Sequence, residues 1–230
     1  MNLFEFDKSF NKVIVGTDEA GRGPAAGGVF ASAVFINDTS IEKYLAKLND
    51  SKKLSKKVRE ELYDVILNNT INSTICIEVD EIEKYNILNC SLKAMKLACE
   101  NVINQLISCH SELVSESYQL ENTKLIDKNL LTIVDGNKLI RNYTYPQQFI
   151  IKGDGKSASI ASASILAKVT RDRYMDKLDE EFPQYNWKKN AGYLTKEHQD
   201  AILKYGVTKY HRQSFLKKLL NPEPKQLSLI

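Results

Sequence analysis

The chain has 230 residues, 43% of them hydrophobic, and a formal net charge of +3. That is enough apolar material for one good core with a small appendage, and no run approaches the roughly eighteen consecutive apolar residues of a membrane span. Glu5 and Asp7 stand near the start, where a secretion signal has a basic end, so a cytoplasmic protein is expected.

Val13-Ile14-Val15 is an apolar run that breaks into the glycine-rich stretch Gly16-Thr17-Asp18-Glu19-Ala20-Gly21-Arg22-Gly23-Pro24. A second run follows at residues 29–35, and the close spacing predicts an antiparallel hairpin with Asp18 and Glu19 at the end of its first strand. Two adjacent acids repel, and a fold tolerates them best where a cation neutralises both, which makes the pair a candidate metal site. Further on, Lys52, Lys53, Lys56, Lys57 and Arg59 place five positive charges within eight residues. Ser55 can cap a helix to about residue 69 with Val58, Leu62, Val65 and Ile66 on one face, and residues 73–79 alternate like a strand. Asp80 with Glu83 reads as a capping box opening one helical stretch to about residue 109. Cys76, Cys90, Cys99 and Cys109 have no Cys-x-x-Cys spacing and read as buried reduced thiols.

Residues 110–129 are polar and aperiodic, a loop or insertion. The apolar runs 130–134 and 148–152 are followed at once by Asp135-Gly136-Asn137 and Gly153-Asp154-Gly155. Continuous apolar runs suit strands buried on both faces, so both are expected to lie centrally in the sheet. From Ser157 a helix rich in Ala and Ser, suited to close packing on a sheet, is expected to run to about residue 181, with further helices near 195–205 and 214–220. Residues 185–218 carry a net +6. Basic faces of this kind hold phosphate backbones, although a solvated helix face is the ordinary alternative.

Three strand ends thus present acids: Asp18 with Glu19, Asp135, and Asp154. An Asp-Gly pair alone is a common turn signal. Three of them after apolar strands can converge as four carboxylates, a hard oxygen set that suits Mg²⁺ or Mn²⁺; two such ions can activate water and stabilise a leaving oxygen in phosphodiester cleavage. Asp172 is a rival fourth acid, but it lies four residues after Lys168, where a helical ion pair accounts for it. Lys52, Lys53, Lys156 and Ser157 are candidate phosphate contacts. Nothing marks His198 or His211 as a general base.

Thr17 to Pro24, Asp50-Ser51-Lys52-Lys53-Leu54, Val134-Asp135-Gly136-Asn137, Lys152-Gly153-Asp154 with residues 161–172, and Gly192-Tyr193-Leu194-Thr195 to His198 together resemble bacterial type 2 ribonuclease H, ribonuclease HII. The match is ordered and spans nearly residues 13–215. It implies an α/β fold, a ribonuclease H-like mixed sheet flanked by helices, with a small C-terminal helical appendage. The division would be residues 1–184 catalytic, 185–220 a basic substrate-binding appendage, and 221–230 a tail. It implies cleavage of the RNA strand of RNA/DNA hybrids and cutting 5′ of single ribonucleotides in duplex DNA, leaving a 3′-hydroxyl and a 5′-phosphate. By the family's pattern Asp18, Glu19, Asp135 and Asp154 hold the metals, while Gly21, Arg22 and Gly23 contact the ribonucleotide together with Tyr193. Backbone freed by glycine can approach a 2′-hydroxyl closely, and that group separates RNA from DNA. The stretch 110–129 is longer than the family's usual connection and is expected to be a surface insertion.

Gln226-Leu227-Ser228-Leu229-Ile230, after a Pro-rich break, resembles the short peptide by which bacterial proteins bind the replication sliding clamp. A monomer is expected. Three other readings compete. Gly153-Asp154-Gly155-Lys156-Ser157 has the end of a P-loop, but Ile150 stands where that motif needs glycine. Another two-metal nuclease of related fold would share the acids without the Gly21-Arg22-Gly23 and Tyr193 combination, and a non-catalytic nucleic-acid-binding module has no use for acids that repel phosphate.

Overall fold

The computed structural model describes residues 2–37, 39–45, 47–48, 51–111 and 129–221. The Lys52 and Cys109 side chains, most of the polar stretch 110–129 and the tail 226–230 lie outside the described residues. A short helix α1 (Leu3–Ser9) leads into β1 (Val13–Ala20) and β2 (Val29–Phe35), then α2 (Lys56–Asn69), β3 (Ile71–Ile77), α3 (Val79–Tyr85), α4 (Ile87–Ser111), β4 (Leu130–Asp135) and β5 (Gln147–Ile150). The long helix α5 (Ala158–Glu181), a single-turn α6 (Trp187–Asn190), α7 (Lys196–Tyr205) and α8 (Gln213–Leu220) complete it.

The strands form one sheet in the order β3-β2-β1-β4-β5, antiparallel on the β2 side of β1 and parallel on the β4 side. The expected hairpin is there, and β1 runs on to Ala20, so Asp18 and Glu19 lie within the strand. Ser55 caps α2 through the Val58 amide, and Leu62 and Ile66 are buried on its inner face. Cys76, Cys90 and Cys99 are free thiols, with Cys76 only half-buried.

Three expectations need correction. β5 is an edge strand with Gln148 and Phe149 exposed, because only Ile150 of its apolar residues turns into the core. The Asp80–Glu83 pair is not a cap: β3 passes almost directly into α3, Glu78 takes the N-cap position without a side-chain bond, and both acids fall inside the helix. That helix then ends at Asn86, whose φ of 65° separates α3 from α4 while its side chain accepts the Asn89 amide. The third is α1, which pattern reading passes over, although Asn2 and Glu5 form a reciprocal capping box at its start.

Helix α4 covers one face of the sheet, packing on Val15, Ala31, Ala33 and Val134. Helix α5 covers the other, and the alternation of β1 sends Ile14, Gly16 and Asp18 toward it. Its first two turns, Ala158 to Ser164, are Ala and Ser apart from Ile160 and are buried. A β-carbon at Gly16 would lie 2.4 Å from the Ser159 carbonyl carbon and 2.5 Å from the Ile160 nitrogen, so helix backbone touches strand backbone here. The start of α5 is held from outside by Asp7, whose Oδ2 accepts the Ser159 amide at 2.8 Å and the Ser159 hydroxyl at 2.7 Å. A separate apolar cluster joins Ala25, Ala26, Met175, Tyr185, Trp187, Ile202 and Leu216, seating the C-terminal helices on the β1–β2 loop and the far end of α5.

Gly16→Ala forces apart two backbones that cannot flex as side chains do. It is expected to lower stability by about 2 kcal/mol, measured as a shift of the urea unfolding midpoint at unchanged m-value.

Candidate active site

Parallel pairing of β1 with β4 in the register Thr17↔Val134 brings the next residues, Asp18 and Asp135, to the same level at adjacent strand ends. Both point to the α5 face. Their cleft, about 360 Å³, is lined by Asp18, Glu19 and the loop Ala20 to Gly23 on one side and by Ser51, Ser164, Lys168 and Tyr193 on the other, with Asp135 and Arg171 also contributing. The sequence reading thus named Asp18, Glu19, Asp135, Gly21, Arg22, Gly23 and Tyr193, and the fold brings all seven together.

Asp18 is 6% exposed. Burial first, then the charges of Glu19 and Asp135, push its carboxyl well above the usual range, while a Ser164 hydrogen bond and the Glu19 amide, 2.7 Å from Oδ1, work the other way. Glu19 is drawn to Arg22, whose Nη1 lies 3.2 Å from Oε1. Asp135 Oδ1 accepts the Gly153 amide at 2.7 Å, which ties the turn carrying Asp154 to the end of β4. Asp154 itself is half-buried in the single helical turn Gly153–Gly155 and is not among the side chains lining the cleft. Among the described residues no three acids, histidines or cysteines stand as a ready-made metal shell. Each of Asp18, Glu19 and Asp135 has an oxygen engaged by protein, yet two of these acids crowd a third that is buried. A divalent cation fits this oxygen donor set because it removes the cost of that crowding.

Gly21 has φ of +100°, and a β-carbon there would meet Arg171 Nε at 2.3 Å, so no other residue fits. Tyr193 is 53% exposed, its ring beside Gly23. Lys53 and Lys156 are exposed, as phosphate contacts must be. Ser157 is corrected: it is fully buried, and its hydroxyl caps α5 by accepting the Ile160 amide at 3.1 Å. Asp172 is ion-paired with Lys168, as expected.

Sequence reasoning missed Ser51, Ser164, Lys168 and Arg171. Ser164 bonds both Asp18 and, at 3.0 Å, the Ser51 hydroxyl. The signal was available: 164, 168 and 171 share one face of α5 at helical spacing. It also missed Arg212, read as surface charge. Its guanidinium is fully enclosed and donates to the carbonyls of Gly27 at 2.8 Å, Pro24 at 2.9 Å and Gly28 at 3.0 Å. Arg171 Nη2 likewise donates to Ala191 at 3.0 Å and Ala26 at 3.3 Å, joining the glycine loop to the segment before Tyr193. Next to Arg212, burial and then His198 push the His211 imidazole down to about 4.

A mixed five-stranded sheet covered by helices on both faces, with acids at the ends of adjacent parallel strands, defines a ribonuclease H-like protein. The family model for ribonuclease HII matches residues 15–218. Ribonuclease HII of Rickettsia bellii is 46% identical over 220 residues, covering 95% of this chain and 98% of that one. The chain therefore belongs to the ribonuclease HII family. Among solved structures, the Archaeoglobus fulgidus RNase HII in its PCNA complex superposes with a TM-score of 0.59 at 22% identity, covering 94% of this chain and 98% of that one. Bst-RNase HIII in complex with Mn²⁺ superposes with a TM-score of 0.65 at 14% identity, covering 90% and 68%. At those identities the structures speak for the fold.

Removing the charge of Asp18 relieves the crowding. Without metal, Asp18→Asn is expected to be more stable than wild type by about 1 kcal/mol, while Mn²⁺ should raise the melting temperature of wild type and leave that of the variant nearly unchanged; calorimetry with and without Mn²⁺ checks both. His211 is neutral in the fold at a pH where the unfolded chain takes up a proton. Its contribution is therefore complete above about pH 6.5 and is lost as the pH falls toward about 4, an expected decrease of about 3 kcal/mol. Urea unfolding followed by the fluorescence of Trp187, the only Trp in the sequence, should show stability falling across that window.

Proposed function

We propose that this protein hydrolyses the RNA strand of RNA/DNA hybrids and cuts on the 5′ side of single ribonucleotides within duplex DNA, releasing a 3′-hydroxyl and a 5′-phosphate. The observation that carries the reading is the placement of Asp18 and Asp135 at one level of two parallel strands, in the same cleft as Gly21, Gly23 and Tyr193. The acids are positioned to hold metal and the loop to read ribose.

In this reading Asp18, Glu19 and Asp135, with Asp154 from the next turn, hold Mg²⁺ or Mn²⁺. Two such ions would supply an activated water and stabilise the leaving oxygen. Ser164 keeps Asp18 oriented, itself braced by Ser51. Arg22, ion-paired with Glu19 in the structure, would become available to substrate if that carboxylate held the metal. The backbone of Gly21 to Gly23 approaches the 2′-hydroxyl, which duplex DNA lacks, and the exposed Tyr193 ring packs against the nucleotide it selects. Lys168, Lys53 and Lys156 face the phosphates, and the basic helices from residue 185 onward extend the duplex-binding surface. A non-catalytic module is disfavoured because a cleft of crowded acids repels phosphate.

The reading extends to place and partner. It assigns the protein to the cytoplasm, consistent with the absence, among the described residues, of any helix long and apolar enough to cross a membrane. It also assigns residues 226–230 to the replication sliding clamp. The Archaeoglobus fulgidus RNase HII solved with PCNA shows the kind of partnership meant. Clamp pull-down with and without residues 226–230 tests it, and equal binding excludes it.

The activity is tested by incubating the protein with Mg²⁺ or Mn²⁺ and a DNA duplex carrying one ribonucleotide. Asp18→Asn is expected to reduce cleavage by a factor of at least about 10³ while leaving duplex affinity nearly unchanged, since a positioned charge is lost and no basic contact is. Tyr193→Ala should lower kcat/KM on the single-ribonucleotide duplex by about 10- to 100-fold, as loss of one stacked base does. Wild-type turnover by either variant removes that residue from its role.

A further inference from the structure

Behind Tyr193 lies a buried chain of rings whose protons follow from donor and acceptor chemistry. His211 Nδ1 is 2.9 Å from the Thr208 backbone nitrogen, which can only donate, so Nδ1 accepts and the proton of His211 sits on Nε2. Trp187 Nε1, also a donor only, is 3.0 Å from His198 Nε2, and His211 Nε2 lies 3.2 Å from the same atom. His198 Nε2 is therefore the acceptor, its one lone pair shared between the Trp187 donor at 3.0 Å and the longer His211 contact. Its proton is left on Nδ1, 2.9 Å from the Tyr193 carbonyl, to which it donates. Trp187 and His198 are fully enclosed and His211 nearly so, which keeps bulk water from competing for any of these groups.

The chain ends on a residue that is otherwise held by two bonds. The Tyr193 amide donates to the Asn190 carbonyl at 2.9 Å, and the Tyr193 carbonyl also accepts the Thr195 amide at 2.8 Å. Ala191 and Gly192 just before it have φ of +48° and +79°, so this backbone leaves regular structure immediately ahead of Tyr193. The tyrosine ring itself stands half-exposed in the cleft, with Gly23 beside it and Arg171 lining the same cleft.

We infer that His198 is a positioning residue for Tyr193: its Nδ1–H fixes the carbonyl from which the exposed ring is hung, and Trp187 and His211 hold His198 in the one tautomer able to donate there. The inference rests on the reading of Tyr193 as the residue that selects the ribonucleotide. It goes beyond a satisfied core histidine because the two ring nitrogens have separable jobs. Nε2 satisfies two buried donors and belongs to stability; Nδ1 reaches the site and belongs to recognition.

Two variants separate these jobs. Glutamine reaches as far as Nε2 and keeps an acceptor for Trp187 and His211, but has nothing at Nδ1. Asparagine places its amide where Nδ1 was and can donate to Tyr193, leaving the two buried donors unmet. His198→Gln is expected to melt close to wild type while kcat/KM on the single-ribonucleotide duplex falls about three- to tenfold, the worth of one hydrogen bond. His198→Asn should melt earlier and, assayed well below its melting temperature, recover most of that loss. Full activity in the glutamine variant, or an equal loss in the folded asparagine variant, overturns the inference. Nitrogen-15 NMR of the wild type tests the chain without any substrate: Nδ1–H on His198 and Nε2–H on His211 support it, and the opposite tautomer on either ring overturns it. Wild-type cleavage by Tyr193→Ala would instead overturn the reading of Tyr193, and the inference with it, whatever the NMR tautomers.

Discussion

The contact of Gly16 with the backbone of α5 sets the geometry of everything at the strand ends. A helix normally stands off the sheet it covers by the thickness of the side chains between them. Here the strand contributes a hydrogen and the helix contributes Ala and Ser, so the two approach until their main chains touch. One turn beyond that contact, Ser164 meets Asp18; two and three turns on, Lys168 and Arg171 enter the cleft. Larger residues on the first turns of α5 would lift these groups away from the acids together. The poor amphipathicity of the helix is thus a consequence of what it has to approach.

The second constraint is the supply of donors to the β1–β2 loop. Residues 21 to 28 make almost no ladder of their own, and carbonyls at Arg22, Pro24, Ala26, Gly27 and Gly28 turn inward. Two arginines answer them. Burial lowers Arg212 to about 10, with Arg171 adding to the effect, and burial also lowers Arg171, yet both remain cations at neutral pH. A lysine would bring fewer donors and no planar fork. The glycines give the loop its shape, and the guanidinium groups give that shape a single solution.

How much of this is legible in the chain depends on whether a feature is local. Asp18 announces itself because it and Glu19 are adjacent acids at the end of an apolar run, and Asp135 stands out once it is set beside that pair as another acid directly after an apolar run. Ser55 caps the helix that follows it, as its position suggests, and Ser157 and Thr195 do the same for theirs, although Ser157 reads in sequence as a phosphate contact. The place of β5 at the sheet edge is not local: it depends on which strand takes the other side of β4, and a short apolar run reads the same in either place. Ser164 looks like one more small residue for packing, and its second use appears only when Asp18 stands opposite. Arg212 was counted as basic surface because charge carries no record of burial; its partners are carbonyls up to 190 positions away, and those of Arg171 up to 145, which no pattern in sequence marks.

That last separation bears on how the molecule comes into being. During synthesis the β1–β2 loop emerges early, with its inward carbonyls unmet, and Arg212 leaves the ribosome only after most of the chain is made. Asp7 waits in the same way for Ser159. Long-range closures of this kind are slow, because chain entropy is lost before the contact repays it. A nascent chain can build its sheet and α4 while the glycine loop between β1 and β2 is still unshaped. The loop proposed to tell RNA from DNA is then the last to mature, and a chain cut short before its closing helices would hold the acids beside an unshaped loop.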